Sequence, residues 1–365
     1  MENYYPYFIL AAIVIFFLAL NLFAFIHSRN QPLYSDIFLA IILILFAGLR
    51  GADLDFLEYE KMYADIQNST ELSFLQQALI GKDILFGLLL VAMSAVGLGN
   101  ASVFMISAFL SIGIKIVAFR YAFGSSILGI TLYFAFFYFL HDFTQIRLAI
   151  ALAFCFLSLI FLIKGKYFLY LLFCILAVGF QAQTFLFVVA TSPLLTNLKH
   201  KYLLVFLSII VMGLFFTNVA FFLDVVALRP GGAIGAVNLK ITAIAAAALN
   251  TIILAAAYFG SIGRFKCLFD EEIAKVSVLL FFGGVFFFFI TIFTSEVLAW
   301  RVYEMFSTFG IFIIIACLRS EPKIITIAAG LSYFIFNFML LLRSNLLVEY
   351  SINNSIIGVL RDIFQ

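Results

Sequence analysis

Phe143-Thr144-Gln145-Ile146-Arg147-Leu148-Ala149-Ile150-Ala151-Leu152 lies between two long apolar runs, Ile127–Leu140 and Leu148–Ile163. Such runs recur along the chain, and uncharged runs of this length read as membrane helices. Asp142 followed three residues later by Gln145 has the pattern of a capping box, so a helix is expected to begin here. Arg147 then falls near the positive end of that helix's dipole, where a cation is disfavoured unless an anion sits with it. A helix N-terminus carrying an arginine is a ready place to hold phosphate. Charges at the edge of a bilayer are costly enough to point to function. The competing reading is an arginine that snorkels to the interface.

The rest of the composition agrees. The chain has 365 residues, of which 65% are hydrophobic and 11% charged, and its mean hydropathy is +1.19. No soluble fold needs so much apolar sequence. The fold class is all-α: a polytopic integral membrane protein with about 11–13 transmembrane or re-entrant helices, by the ~20 residues that a span requires. A net charge of +2 gives no reason to expect nucleic acid as a partner. Cys155, Cys174 and Cys317 lie inside apolar runs and Cys267 in a basic loop, with no paired spacing for disulfides or zinc. The three histidines form neither HxxxH nor HExxH.

Residues 1–365 read as a single transmembrane domain with outer loops near 50–83, 223–240 and 294–301. Tyr7–Ile26 reads as a retained first span, because no positive n-region or small-residue cleavage site accompanies it. Further runs follow at Ile37–Leu49, Ile84–Val96, Val103–Phe119, Ile127–Leu140, Leu148–Ile163, Tyr167–Phe180, Thr184–Leu195, Leu203–Phe222, Ile241–Gly260, Val276–Phe293, Val302–Leu318 and Ile324–Leu342. Several are too short for a perpendicular span, which implies tilts or re-entrant ends. The basic loops Lys164–Lys166, Lys199–Lys201, Arg264–Lys275 and Arg319–Lys323 should be cytoplasmic. His141–Arg147, Gln181 and Gln183 then face outward. Parity is the difficulty: with Arg29 inside and Arg50 outside, three runs separate Arg50 from Arg147, and an even number is required. Either part of Ser73–Val96 is re-entrant or one run does not span. No fixed-period repeat signals an inverted-repeat transporter. Asn345–Gln365 is mildly amphipathic and suggests an interfacial helix.

Three further constellations carry candidate chemistry. If the chain after Asp53 is helical, Asp55, Tyr59 and Tyr63 share a face near Arg50. A carboxylate beside phenols suits a sugar or a hydroxyl to be activated, and a solvated loop helix with tyrosines in the headgroup belt is the alternative. Gln181 and Gln183 flank a hairpin tip, where their amides either bind a ligand or satisfy the turn. The segment from Glu296 to Glu304 holds the single tryptophan, Trp300, with Arg301 and Tyr303. Arg301 either pairs with Glu304 at i+3 or offers a second phosphate-binding cation. Arg229-Pro230-Gly231-Gly232 is flexible enough to close over a site.

In this order the residues resemble the EpsG-type branch of Wzy polysaccharide polymerases. The resemblance runs through Leu49-Arg50 with Asp55-Phe56-Leu57-Glu58-Tyr59, then Gln145-Ile146-Arg147-Leu148-Ala149-Ile150-Ala151, Gly179-Phe180-Gln181-Ala182-Gln183, and Arg301-Val302-Tyr303. Each motif is short, and the resemblance covers most of the chain in order and hydropathy. Where that family places a histidine after phenylalanine in the hairpin turn, this chain has Gln181. The resemblance implies a polymerase of undecaprenyl-diphosphate-linked repeat units on the outer face of the bacterial cytoplasmic membrane. It implies the lipid bilayer and these lipid-linked glycans as partners, with a chain-length regulator and a flippase of the same pathway. Arg50, Arg147, Arg229 and Arg301, with Tyr59, Gln145, Gln181, Gln183 and Tyr303, would bind substrate and diphosphate. Asp55 would orient or deprotonate the acceptor hydroxyl, with His141 and Glu296 as rivals. No cofactor or catalytic metal is implied, although Asp53 with Asp55 could hold one Mg²⁺ weakly. A transporter or flippase of the lipid-linked oligosaccharide, or an O-antigen ligase-like glycosyltransferase, is the alternative. Transport sites usually lie at mid-depth, unlike these charges.

Overall fold

A computed structural model describes residues 33–50, 55–69, 71–196, 200–226, 236–265, 267–292, 296–320 and 324–343; within 216–226, 236–243, 296–297 and at 343 it describes the backbone alone. Tyr7–Ile26, Asp53, Arg229–Gly232 and Asn345–Gln365 lie outside these residues. The described residues form fifteen α-helices and no strand. In chain order they are α1 (Leu33–Gly48), α2 (Phe56–Asn68), α3 (Phe74–Ile80), α4 (Ile84–Ala95), α5 (Ala101–Phe123), α6 (Ile127–Phe134), α7 (Ile146–Ile163) and α8 (Tyr167–Phe180). There follow α9 (Phe185–Thr191), α10 (Lys201–Val226), α11 (Ala236–Ser261), α12 (Leu268–Thr291), α13 (Glu296–Ser307), α14 (Gly310–Arg319) and α15 (Ile324–Arg343). A π-helical segment, Tyr138–Thr144, precedes α7, and 3-10 turns at Ala182–Thr184 and Ser192–Leu195 flank α9.

Among the described residues six helical segments are long and apolar enough to cross a membrane, or up to eight if each of two bent pairs is one span. Four shorter apolar helices accompany them. The chain is a multi-pass α-helical membrane protein. Outward-facing Ile324, Ile325, Ile327, Leu331, Ile335 and Met339 on α15 are exposed, an arrangement that lipid covers and water does not.

The helices pack as two compact units. The first holds α1 to α7 as far as Phe161, Phe168–Thr184 and the end of α15; the second holds Leu162–Tyr167 and Phe185–Phe336. In the second unit α12 is the hub, lying against α10, α11, α13 and α14. A Cβ on Gly284 would come within 2.4 Å of the Phe306 side chain, so a glycine is what lets α12 and α13 close up.

The first unit is organised by α7, which is apolar on every side and buried along nearly its whole length, as such a helix must be. Beside it α1 and α5 run antiparallel. Gly48 meets Met105 at one end, and Arg120 pairs with the buried Asp36 at the other. That pair places an acid in the first turn of α1 and a base in the last turn of α5, the orientation that each helix dipole favours.

The run Ile127–Leu140 is not the single helix that its hydropathy suggests. It breaks after α6 and bends by 80° into the π-helical segment, which closes with Gln145 N–H on the Leu140 carbonyl at 3.3 Å. The capping-box expectation fails here for a physical reason. Asp142 is buried, and its carboxylate accepts from Lys115 Nζ at 3.2 Å and from the Tyr133 hydroxyl at 2.7 Å. It is therefore turned into the core, and α7 begins at Ile146 without it. Thr184–Leu195, read as one run, is also subdivided, into two 3-10 turns around α9.

The parity conflict turns on the α3–α4 pair. Arg50, just past α1, donates from Nη1 to the Asp142 carbonyl at 2.9 Å, so both lie at one end of the unit. From that end α5 leads away, and α6 with the π-helical segment leads back, which makes two traverses. The α3–α4 pair is bent by 112°. Asp83 at its bend reaches Arg147, and the Tyr63 hydroxyl donates to the Leu98 carbonyl just beyond α4 at 2.6 Å. This bent pair, and not a straight span, is what the chain places between Arg50 and α5.

Candidate functional site

The site is built where α2, the α3–α4 bend, the start of α7 and the tip after α8 meet, all within the first unit. Arg147 is the second residue of α7. Its Nη1 donates to Asp83 Oδ2 at 2.5 Å, and Asp83 Oδ1 accepts the Ala182 N–H at 2.9 Å. One carboxylate thus ties the helix start to the hairpin tip. The anion that Arg147 was expected to need at this end of the helix dipole is Asp83, a residue that the sequence alone did not single out. Arg147 Nε is buried and has no hydrogen-bond acceptor among the described residues, and neither has Gln183 Nε2. Two buried donors therefore flank the Asp83 clamp unsatisfied, a state that costs about 1–3 kcal/mol per group unless an acceptor arrives.

Tyr59 stands beside this clamp. It is buried on the face of α2 that also carries Met62, Tyr63 and Ile66, with edge contacts to Phe86 and Phe104 at ring-centroid distances of 5.8 and 6.5 Å. Burial pushes its hydroxyl up to about 12, against the opposing pull of the Arg147 guanidinium and that of Arg50, while Asp55 adds to the rise. The phenol therefore stays protonated at neutral pH and serves as a donor. Tyr59 and Arg50 share the Phe104 ring, and the Tyr59 N–H donates to the Asp55 carbonyl at 3.1 Å. Asp55 is the half-buried N-cap residue of α2, and its side chain does not cap the helix. Arg50 is buried, with Nη1 also on the Ala47 carbonyl at 2.8 Å and its guanidinium over the Phe104 and Phe143 rings at 4.6 and 5.4 Å. Aromatic faces and carbonyls hold that charge in the apolar end of the bundle.

The remaining candidates divide. His141 is wholly buried in the π-helical segment, stacked on Phe137 at 5.8 Å. Gln145 closes that segment at half exposure. The Gln181 carbonyl accepts both the Thr184 N–H at 3.0 Å and its hydroxyl at 2.8 Å, which satisfies the turn. In the second unit Arg301 is exposed near the head of α13, and among the described residues it forms no pair with the buried Glu304. Tyr303 is buried against Phe288 and Trp300 at 5.4 and 5.6 Å. The backbone of Glu296 opens α13, and Arg229 lies outside the described residues.

The sequence also missed Lys115. It lies in the middle of α5, fully buried, between Asp142, the Ser111 hydroxyl and the Tyr133 ring at 4.4 Å. A lysine inside the apolar run Val103–Phe119 was the available signal, since a charge at such a position demands a partner.

A family model described as the EpsG family matches residues 33–354. The chain belongs to the EpsG family. This is a Wzy-type polymerase family, so membership points to a polysaccharide polymerase, a glycosyltransferase in general terms. The match takes in every helix described above, including both bent pairs and the Arg147–Asp83 clamp. No curated protein and no solved structure matches the chain.

Proposed function

We propose that this EpsG-family protein polymerises undecaprenyl-diphosphate-linked repeat units on the outer face of the bacterial cytoplasmic membrane. The observation that carries the reading is Arg147, clamped by Asp83 at the head of α7 beside two buried donors that meet no acceptor among the described residues, with Tyr59 and Arg50 packed on one Phe104 ring. The acceptor sugar's hydroxyl oxygen attacks the anomeric carbon of the donor glycan. The bond from that carbon to the diphosphate oxygen breaks, and the diphosphate leaves on its lipid with the electron pair. Arg147 and Arg50 stabilise that charge where water is scarce and electrostatics act strongly. Arg301, exposed near the head of α13 in the second unit, is a separate candidate for binding an anion. Asp55 takes the proton of the attacking hydroxyl. Tyr59, held neutral, donates a hydrogen bond to substrate, and Gln183 offers its amide.

His141 is a weaker candidate for the base than Asp55 because its ring is sealed in the core. A flippase and a chain-length regulator acting before and alongside this step are the partners that such a reaction implies. The test is polymer formation in cells lacking the native gene. Arg147→Ala at normal protein level should abolish polymer, and Arg147→Lys should restore only part of it, because an ammonium lacks the guanidinium's bidentate fork. Wild-type chain length in Arg147→Ala would end this reading of the site.

A further inference from the structure

We infer that Asp83 is the positioning residue of the diphosphate site. It fixes the Arg147 guanidinium and the hairpin tip so that Arg147 Nε and Gln183 Nε2 remain as donors for one oxyanion. The inference rests on the reading that Arg147 binds the donor's diphosphate. Asp83 is buried, and its two oxygens are divided between a side chain on α7 and a backbone N–H at the tip, so it sets both at once. An arginine whose Nη1 edge is held by a carboxylate presents a defined remaining edge, and a fixed planar fork recognises phosphate with less loss of freedom than a mobile one.

The bend that delivers Asp83 is constrained from every side. Lys82 adopts a φ of 65°, a left-handed conformation that is unfavourable for a side-chain-bearing residue. A Cβ on Gly87 would lie 1.7 Å from the Ala78 carbonyl oxygen, so the two arms of the bend touch backbone to backbone. Lys82 also pairs with Glu58 on α2. A turn held in a disfavoured conformation by contacts on both sides is the kind that functional sites retain.

The test uses the full-length protein in nanodiscs and undecaprenyl diphosphate as the probe. Binding is measured for wild type, Asp83→Asn, Arg147→Ala and the double variant. Asp83→Asn keeps an acceptor for Ala182 but removes the charge that holds Arg147. It should weaken binding about tenfold, the size expected when a supporting partner of a ligand-binding group is lost. In the Arg147→Ala background it should weaken binding no further, because the two residues act as a unit. A role in folding alone would instead add in both backgrounds. Unchanged or tighter binding by Asp83→Asn would overturn the inference and make Asp83 a competitor of the ligand. Wild-type binding by Arg147→Ala would overturn the underlying reading of the site. If Asp83→Asn does not accumulate, Asp83→Ser, which also removes the charge, serves in its place with the same outcomes.

Discussion

At the scale of single residues, the sequence named Arg50, Asp55, Tyr59 and Arg147, and these prove to be neighbours. They were legible because a charge or a phenol next to a long apolar run stands out. Asp83 was not legible, because an acid at the edge of a polar segment looks like solvent exposure until the bend buries it against Arg147. The Asp142–Gln145 spacing misled for the related reason that a capping pattern says nothing of a lysine 27 residues earlier. The role of Asp55 is open to a matched comparison at equal expression. Asp55→Asn should shorten or abolish chains, as loss of a base typically costs on the order of 10²–10⁴ in rate, and Asp53→Asn should do so less. Normal polymer in both variants would move the base to His141 or Glu296. A dead Asp53→Asn with an active Asp55→Asn would exchange the roles assigned to the two.

At the scale of elements, hydropathy located the helices but not their breaks. The run Ile127–Leu140 carries no proline or glycine at the point where it bends. The break is set by tertiary demand, since the π-helical turn brings Asp142's carboxylate to Lys115 while its carbonyl faces Arg50. This makes the Lys115–Asp142 pair a structural support of the site. Lys115→Met should destabilise the protein strongly, by about 3–5 kcal/mol, because it leaves an uncompensated buried carboxylate. Lys115→Met combined with Asp142→Asn should recover much of that loss, since the amide carries no charge and still offers Tyr133 an acceptor. Thermal unfolding in detergent distinguishes the two. Equal melting temperatures for Lys115→Met and wild type would show that the buried pair contributes nothing.

At the scale of the whole molecule, the sequence conveyed the class and the number of apolar runs, and it also exposed its own parity conflict. It could not say which run fails to cross, because a re-entrant pair and a span have the same hydropathy. The 112° bend of the α3–α4 pair marks the run on which the parity turns. With Cys267 replaced by serine, single cysteines at Ser73 and Asn100 should label with an impermeant reagent from the same side, as should Gly232. Gly165 should label only from the opposite side. Labelling of Gly165→Cys in intact spheroplasts would invert the orientation. The central claim, transfer from a lipid diphosphate, is tested most directly with purified protein in nanodiscs given one undecaprenyl-diphosphate-linked repeat unit as both donor and acceptor. The account predicts a ladder of longer glycans, with one undecaprenyl diphosphate released for every linkage made. Movement of the intact lipid-linked unit across the bilayer, with neither ladder nor released lipid diphosphate, would contradict it.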